Sequence, residues 1–443
     1  MADAAPSLRR ELGVRDVTLF AIACIVGTRW ISAAAHAGPG SITLWLIAAV
    51  LFVVPTAVTV ASLVVKYPGS GGLYVWTRSD FGPWHGFLAF WTYWMGIACW
   101  FPSAAMFYGG AALHAVGIAE SRMVVLAISL AFIWIPLGTN VIGLKIGKWT
   151  ENIGGASAWL VTALFVALAA VAWMHRGSAT PIDLRPRWDW ETVNFWAAIA
   201  YAMSGLELAG MLGGEIHDPK RTFPRAGWIA SGCITVFYAS ATVALLVLLP
   251  PARISPLNGL ADAGEAAAGL FGAGWLGPAI ALLVVASGMG QLGGIGTAVS
   301  RLPFAAGTDH LLPEALSRIH PRWGTPHVSI FLLGLVASFL LVAIQLGDTL
   351  YAAYQSLVSL MVITGFLPLL YMFGSSWKAG NRISAILGGG VTLLAVICAL
   401  IPTADITNVW LFEAKLTAGT LAVIGSAWLV YRRHAAAEKV SRV

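Results

Sequence analysis

Ala21-Ile22-Ala23-Cys24-Ile25-Val26-Gly27-Thr28-Arg29-Trp30-Ile31 begins as a membrane helix and stops reading like one halfway along. The apolar run meets a glycine, a hydroxyl and a guanidinium, and the chain then turns small and polar through His36-Ala37-Gly38-Pro39-Gly40. A second stretch repeats the pattern: Phe195–Met203 is apolar, Ser204-Gly205-Leu206-Glu207 interrupts it, and Leu208–Gly214 resumes. Non-helical backbone at membrane depth survives only where it lines a cavity or is buried in protein, so the two interruptions mark a site.

The composition around them is that of a membrane protein. Of 443 residues, 10% are charged and 58% hydrophobic, with a mean hydropathy of +0.79. Soluble globular chains carry roughly 25% charged residues. One soluble core cannot hide this much apolar surface, which excludes an ordinary soluble enzyme. The net charge of +6 belongs to membrane topology and points to no nucleic-acid partner. Cys24, Cys99, Cys233 and Cys398 lie in separate apolar stretches with no CxxC pair or Cys/His cluster, so neither disulfides nor a metal site are expected. Arg9, Arg10 and Arg15 precede an apolar run with no small-residue cleavage site after it, the pattern of an uncleaved start-transfer segment.

Apolar runs long enough for about 30 Å of hydrocarbon predict twelve spans. They fall near 17–37, 42–65, 84–115, 122–144, 150–174, 191–216, 224–249, 275–305, 327–345, 349–372, 383–402 and 411–432. With the N-terminus inside, the cytoplasmic segments carry 19 of the 26 basic residues. Those are Arg9, Arg10 and Arg15; Lys66 and Arg78; Lys145 and Lys148; Lys220, Arg221 and Arg225; Arg301, Arg318 and Arg322; Lys378 and Arg382; and Arg432, Arg433, Lys439 and Arg442. Both termini are therefore expected in the cytoplasm of a multi-pass protein of the plasma (inner) membrane.

The interrupted spans are the first and the sixth. A five-span unit beginning inside is thus followed by one beginning outside, an inverted-topology repeat with matching broken helices. The expected organisation is a cytoplasmic segment 1–16, repeat one over 17–174, repeat two over 191–372, a peripheral pair over 383–432 and a tail over 433–443.

Several motifs share a resemblance. They are the span-one break, Tyr67-Pro68-Gly69-Ser70-Gly71-Gly72-Leu73-Tyr74 after span two, Gly205-Leu206-Glu207 with Glu215 through Pro224, and Ser300-Arg301 through Pro313 closed by Thr325-Pro326. In this order the chain resembles the amino acid–polyamine–organocation superfamily of secondary transporters. The resemblance implies an all-α, leucine-transporter-like fold: five-plus-five inverted repeats with broken helices one and six, then two peripheral helices. It implies secondary active transport of amino acids, without cofactor or covalent chemistry, and a small amino acid or amine as partner beside membrane lipid and protons.

The residues carry a physical reading of that site. A break in span one exposes N–H groups at the positive end of its outer half-helix, which suits a carboxylate; the break in span six exposes carbonyls, which suits an ammonium. In the family the span-one loop is usually Gly-Ser-Gly; Gly27 and Thr28 match its first two positions, and Arg29 replaces the last glycine. A guanidinium at mid-membrane costs roughly 2.5–3.5 kcal/mol on insertion scales, so it needs a partner, and Glu207 is the one acid at comparable depth. Three placements are open for Arg29: a structural pair with Glu207, a cavity ligand or stand-in for a coupling cation, or a watery vestibule.

Around this pair, Cys24, Gly27, Thr28, Arg29, Tyr201, Ser204, Gly205, Glu207 and Ile295 are expected to meet substrate. Tyr201 sits where relatives carry a gating aromatic, whereas Ile295 stands where some carry a second one. Gating and coupling fall to Arg29, Glu207 and Tyr201, with Glu215, Lys220 and Arg221 as an inner salt-bridge network. Some relatives place a lysine in span five at the position of Ala158, so that coupling is absent here. A fixed charge at Arg29 disfavours sodium nearby, favouring proton coupling or exchange.

Smaller features read as structure. Ser287 and Gln291 are expected to make interhelical hydrogen bonds. His36 is placed at an outer interface, Trp173, Trp188, Trp190 and Trp196 form an expected interface belt, and Gly259–Phe271 reads as a short amphipathic helix capping the entrance. Two alternatives remain: a polyamine or organocation permease, opposed by Arg29, and a non-transporting substrate sensor, opposed by a tail of only 11 residues after Arg432.

Overall fold

The computed structural model describes residues 12–67, 72–119, 121–142, 144–185, 190–210, 216–308, 312–345, 349–403 and 406–441. They are almost wholly helical. Among them, nine helices are long and apolar enough to cross a membrane, and the bent pair Val14–Ile25 and Arg29–His36, angled by 59°, makes a tenth. Pro83–Ala115 and the pair Trp190–Ala202 and Leu206–Gly210 occupy the places of expected spans three and six. Span ordinals below follow the sequence.

Agreement with the apolar runs is close, because lipid demands uninterrupted internal hydrogen bonding over the same length that hydropathy detects. Span nine, His327–Gln345, matches its expected bounds, and span four, Arg122–Ile142, nearly so. Span two, Gly40–Lys66, carries a π-helical segment at Ala49–Val53 that no apolar pattern announces. The polarity is inside out: Phe339, Ile383 and Trp410 are exposed, while Arg29 and Glu207 are buried. Only 33% and 17% of the most apolar stretches of Arg382–Ala399 and Val409–Arg433 are buried, against 72% for Leu350–Lys378, which makes the last two helices peripheral and the tenth central.

At the face where span one begins, Leu12 pairs with Ile216 as an isolated parallel bridge, and the His217 N–H donates to the Leu12 carbonyl at 2.9 Å. Helix Gly72–Phe81 is fastened there through Asp80. Its carboxylate accepts from Lys66 Nζ at 3.2 Å and from the Tyr67 hydroxyl at 2.5 Å, and Lys378 Nζ of span ten donates to the Asp80 carbonyl at 2.6 Å. Burial pushes the Asp80 carboxyl up, but the Tyr67 and Lys66 hydrogen bonds outweigh it and hold the group below the usual carboxylate range. Of the expected salt-bridge network, Arg221 pairs instead with Asp218 at 3.6 Å, an exposed contact; Glu215 lies outside the described residues.

At the opposite face Gly259–Phe271 is a helix, as its composition predicts. His114 Nε2 meets Glu265 Oε1 at 3.0 Å, and His36 Nδ1 lies 2.7 Å from the Ile254 carbonyl oxygen. The helix packs beside span eight and the second half of span one, and none of its residues lines the nearby cavity, so it flanks an opening rather than capping it. Trp173 is exposed, whereas Trp196 is buried in the helix core and leaves the expected belt; the side chains of Trp188 and Trp190 lie outside the described residues.

Candidate functional site

The span-one break covers Val26 to Thr28, between helices ending at Ile25 and beginning at Arg29. Its freed backbone groups are taken up by side chains from other spans. The Tyr238 hydroxyl donates to the Ile25 carbonyl at 2.8 Å and accepts from the Gly27 N–H at 3.0 Å. Gln291 Nε2 donates to the Val26 carbonyl at 3.0 Å, and Gln291 Oε1 accepts from the Tyr108 hydroxyl at 2.8 Å. A Cβ at Gly27 would stand 2.5 Å from Gln291 Nε2 and displace that amide from its place. Thr28 and Ser287 join hydroxyl to hydroxyl at 3.1 Å. Gln291 and Ser287 thus make the interhelical bonds expected of them.

The span-six break is closed by its own glutamate. Gly205 takes φ +129°, a region L side chains rarely adopt, and a Cβ there would also meet Ile25 Cγ1 at 2.8 Å. The turn lets the Gly205 N–H donate to Glu207 Oε2 at 2.9 Å, while the Tyr93 hydroxyl donates to Oε1 at 3.1 Å. Glu207 is 1% exposed, and among the described residues no cation stands within ion-pairing distance of it.

The span-six break and the residues flanking the span-one break, Cys24, Ile25 and Trp30, border one cavity. Of the expected site residues, Cys24, Tyr201, Ser204, Gly205, Glu207 and Ile295 line it. Gly27, Thr28 and Arg29 do not: the Gly27 N–H is spent on Tyr238, Thr28 is buried against Ser287, and Arg29 points elsewhere. The cavity also has walls the sequence reading missed, above all Trp30, Tyr93, Ile97, Trp100 and Gly365. Tyr93, Ile97 and Trp100 follow the i, i+4, i+7 spacing of one helix face, a signal span three carried all along.

The Arg29–Glu207 pair is not formed. Arg29 is fully buried, with Nη1 donating to Ser103 Oγ at 2.6 Å and Nη2 to Met361 Sδ at 3.6 Å. Its Cζ lies 4.0 Å from the Trp30 ring centroid and 5.2 Å from that of Trp100. Nε has no hydrogen-bond partner among the described residues. Spans three and ten supply a hydroxyl, a thioether and the Trp100 face, Trp30 of the same half-helix supplies a second π face, and the guanidinium needs no carboxylate to be held there.

A second cavity opens toward the opposite face and is lined by Trp30, His36, Phe195, Tyr351, Tyr354 and Gln355 among others. Among the described residues, Trp30 alone lines both cavities. Tyr201 sits beside it at 6.1 Å between centroids and stacks on Phe366 at 5.5 Å.

Comparison with known proteins agrees with this architecture. An uncharacterised transporter of Legionella pneumophila is 22% identical over 96% of this chain and 97% of its own. The branched-chain amino acid permease BcaP of Bacillus subtilis is 26% identical over 75% of each chain. The crystal structure of MhsT in complex with L-phenylalanine superposes with a TM-score of 0.57 over 94% of this chain and 98% of that one at 14% identity, which establishes a leucine-transporter-like fold. Residues 12–410 match the family described as amino acid permease, and with the helices, the breaks and the cavity in place, the chain belongs to the amino acid permease family of membrane transporters.

Proposed function

We propose that this protein moves amino acids across the plasma membrane by alternating access around the breaks at Val26–Thr28 and Met203–Gly205, with 17–174 and 191–372 as inverted repeats and both termini in the cytoplasm. The observation that carries the reading is the cavity bordered by the span-six break and by the residues on either side of the span-one break, with Glu207 in its wall. A buried carboxylate held by a hydroxyl and backbone N–H groups, with no cation beside it among the described residues, gains most from a cationic guest, so Glu207 is the seat of the substrate ammonium. Four rings, Trp30, Tyr93, Trp100 and Tyr201, give that ammonium π faces and give an apolar side chain its contacts.

Coupling is to protons or to a counter-substrate, not to sodium. Coupling through the lysine that some relatives carry is absent, since Ala158 stands in its place, and the Arg29 guanidinium, buried beside the span-one break and outside the cavity, disfavours sodium bound at that break. An organocation permease is the second reading, and one observation favours it: Arg29, which opposed it, does not line the cavity, while Glu207 does.

Uptake of labelled amino acids and amines into proteoliposomes, under a proton gradient, a sodium gradient or neither, tests these readings. Neutral amino acid uptake driven by protons or by preloaded substrate, and indifferent to sodium, supports the first. Uptake of amines alone supports the second. Binding without movement under every gradient and preload overturns both in favour of a sensor.

A further inference from the structure

Trp30 is the common wall of the two cavities, and the residue immediately before it is a buried cation stacked on its ring. That cation has no acid to answer it among the described residues, and its bonds run to spans three and ten: Ser103, Met361 and the Trp100 ring. Ser103 is itself fixed, its hydroxyl donating to the Trp100 carbonyl at 2.9 Å. The guanidinium thus sits between two indoles that both face the central cavity, and it lines neither cavity itself.

We propose that Arg29 is a positioning residue that holds the Trp30 indole as the partition between the central and the opposite-face cavity, and is neither a substrate ligand nor a partner of Glu207. The inference rests on the transport reading above and adds to it the residue that sets the wall. A desolvated cation–π contact is strong enough to fix one rotamer of a large ring, and the bonds from Nη1 to Ser103 and Nη2 to Met361 fix the cation in turn. Lysine at this position would keep a charge near the ring and lose the planar fork, so it restores the function in part.

The experiment is the KM for labelled L-leucine and L-phenylalanine uptake in proteoliposomes of the full chain. It compares wild type with Arg29→Met, Arg29→Lys, Trp30→Leu and the Arg29→Met/Trp30→Leu double variant. Arg29→Met is expected to raise KM about tenfold, the worth of a desolvated cation–π contact. Arg29→Lys recovers part of that, and the double variant is no worse than Trp30→Leu alone. Ser103→Ala, a milder change that keeps the charge, moves KM in the same direction by about threefold and supplies the test if Arg29→Met does not fold.

Losses that add in the double variant, a lysine no better than methionine, or a Ser103→Ala protein with wild-type KM would each overturn the proposal. Wild-type protein that moves neither labelled probe, nor any member of the wider panel, overturns the transport reading itself. Wild-type uptake with additive losses overturns this inference alone.

Discussion

The two breaks in this bundle handle a buried charge in opposite ways. In span one the cation is turned away from the cavity and wrapped by Ser103, Met361 and two indoles. In span six the anion stays at the cavity wall, held by Tyr93 and by its own Gly205 turn. A guanidinium is broad, weakly hydrated and at home on aromatic faces, so a scaffold can absorb it. A carboxylate has no comparable apolar refuge and keeps its affinity for an arriving cation. Equal depth in the membrane therefore does not make two charges partners, and the neighbours each break recruits decide which remains available.

That contrast can be broken most directly at Glu207. Glu207→Gln removes the charge at the cavity wall and is expected to cut uptake at least tenfold, about 1.4 kcal/mol or more of lost binding, while the detergent-solubilised protein stays folded. Initial-rate uptake at matched protein density measures it, and a variant with unimpaired uptake would place the anion among the structural charges with Arg29. Next in size is Gly205→Ala, which asks whether the turn serving Glu207 can tolerate a side chain. With φ at +129° and Ile25 Cγ1 at 2.8 Å from the added carbon, it should cost about 1–3 kcal/mol, visible as a lowered thermal midpoint.

Asp80 extends the comparison to a charge outside the spans, a largely buried carboxylate paired with the more exposed Lys66. Asp80→Asn should destabilise by about 1 kcal/mol, the worth of its hydrogen bonds with Tyr67 and Lys66. Because its folded carboxyl is held below the usual range, this contribution is present above the unfolded pKa of about 3.9 and is lost as pH falls through the lower folded value. Thermal midpoints of wild type and variant should differ at pH 7 and converge in that acid window. The smallest effect belongs to Glu265→Gln, which loosens an exposed contact to His114 and should change stability by less than about 1 kcal/mol. A larger drop in midpoint would show that the Gly259–Phe271 helix depends on that contact.

Much of the architecture was legible in the sequence because lipid reads the same quantity as a hydropathy count. Span nine and the two breaks come straight from runs of Leu, Ile and Val and from the small or polar residues that end them. The wall residues of span three were legible in principle, since Tyr93, Ile97 and Trp100 share a helix face. The direction of Arg29 was not. It depends on Ser103 and Met361, which lie far along the chain, and the one nearby acid made a pair the simpler expectation. Nor did any pattern mark Tyr238 and Gln291 as the groups that complete the backbone at Ile25 through Gly27, because single polar residues in apolar helices look alike until the helices are packed.

The bridge between Leu12 and Ile216 has a mechanical consequence. Leu12 lies two residues before the first half-helix, and Ile216 lies three residues before Pro219 begins the seventh span. The backbone bond between them works as a tether at the foot of a lever. A tilt of Val14–Ile25 away from the bundle would have to break that link or carry the root of the seventh span with it, so the first half-helix is tied to the start of Pro219–Leu248 at one face.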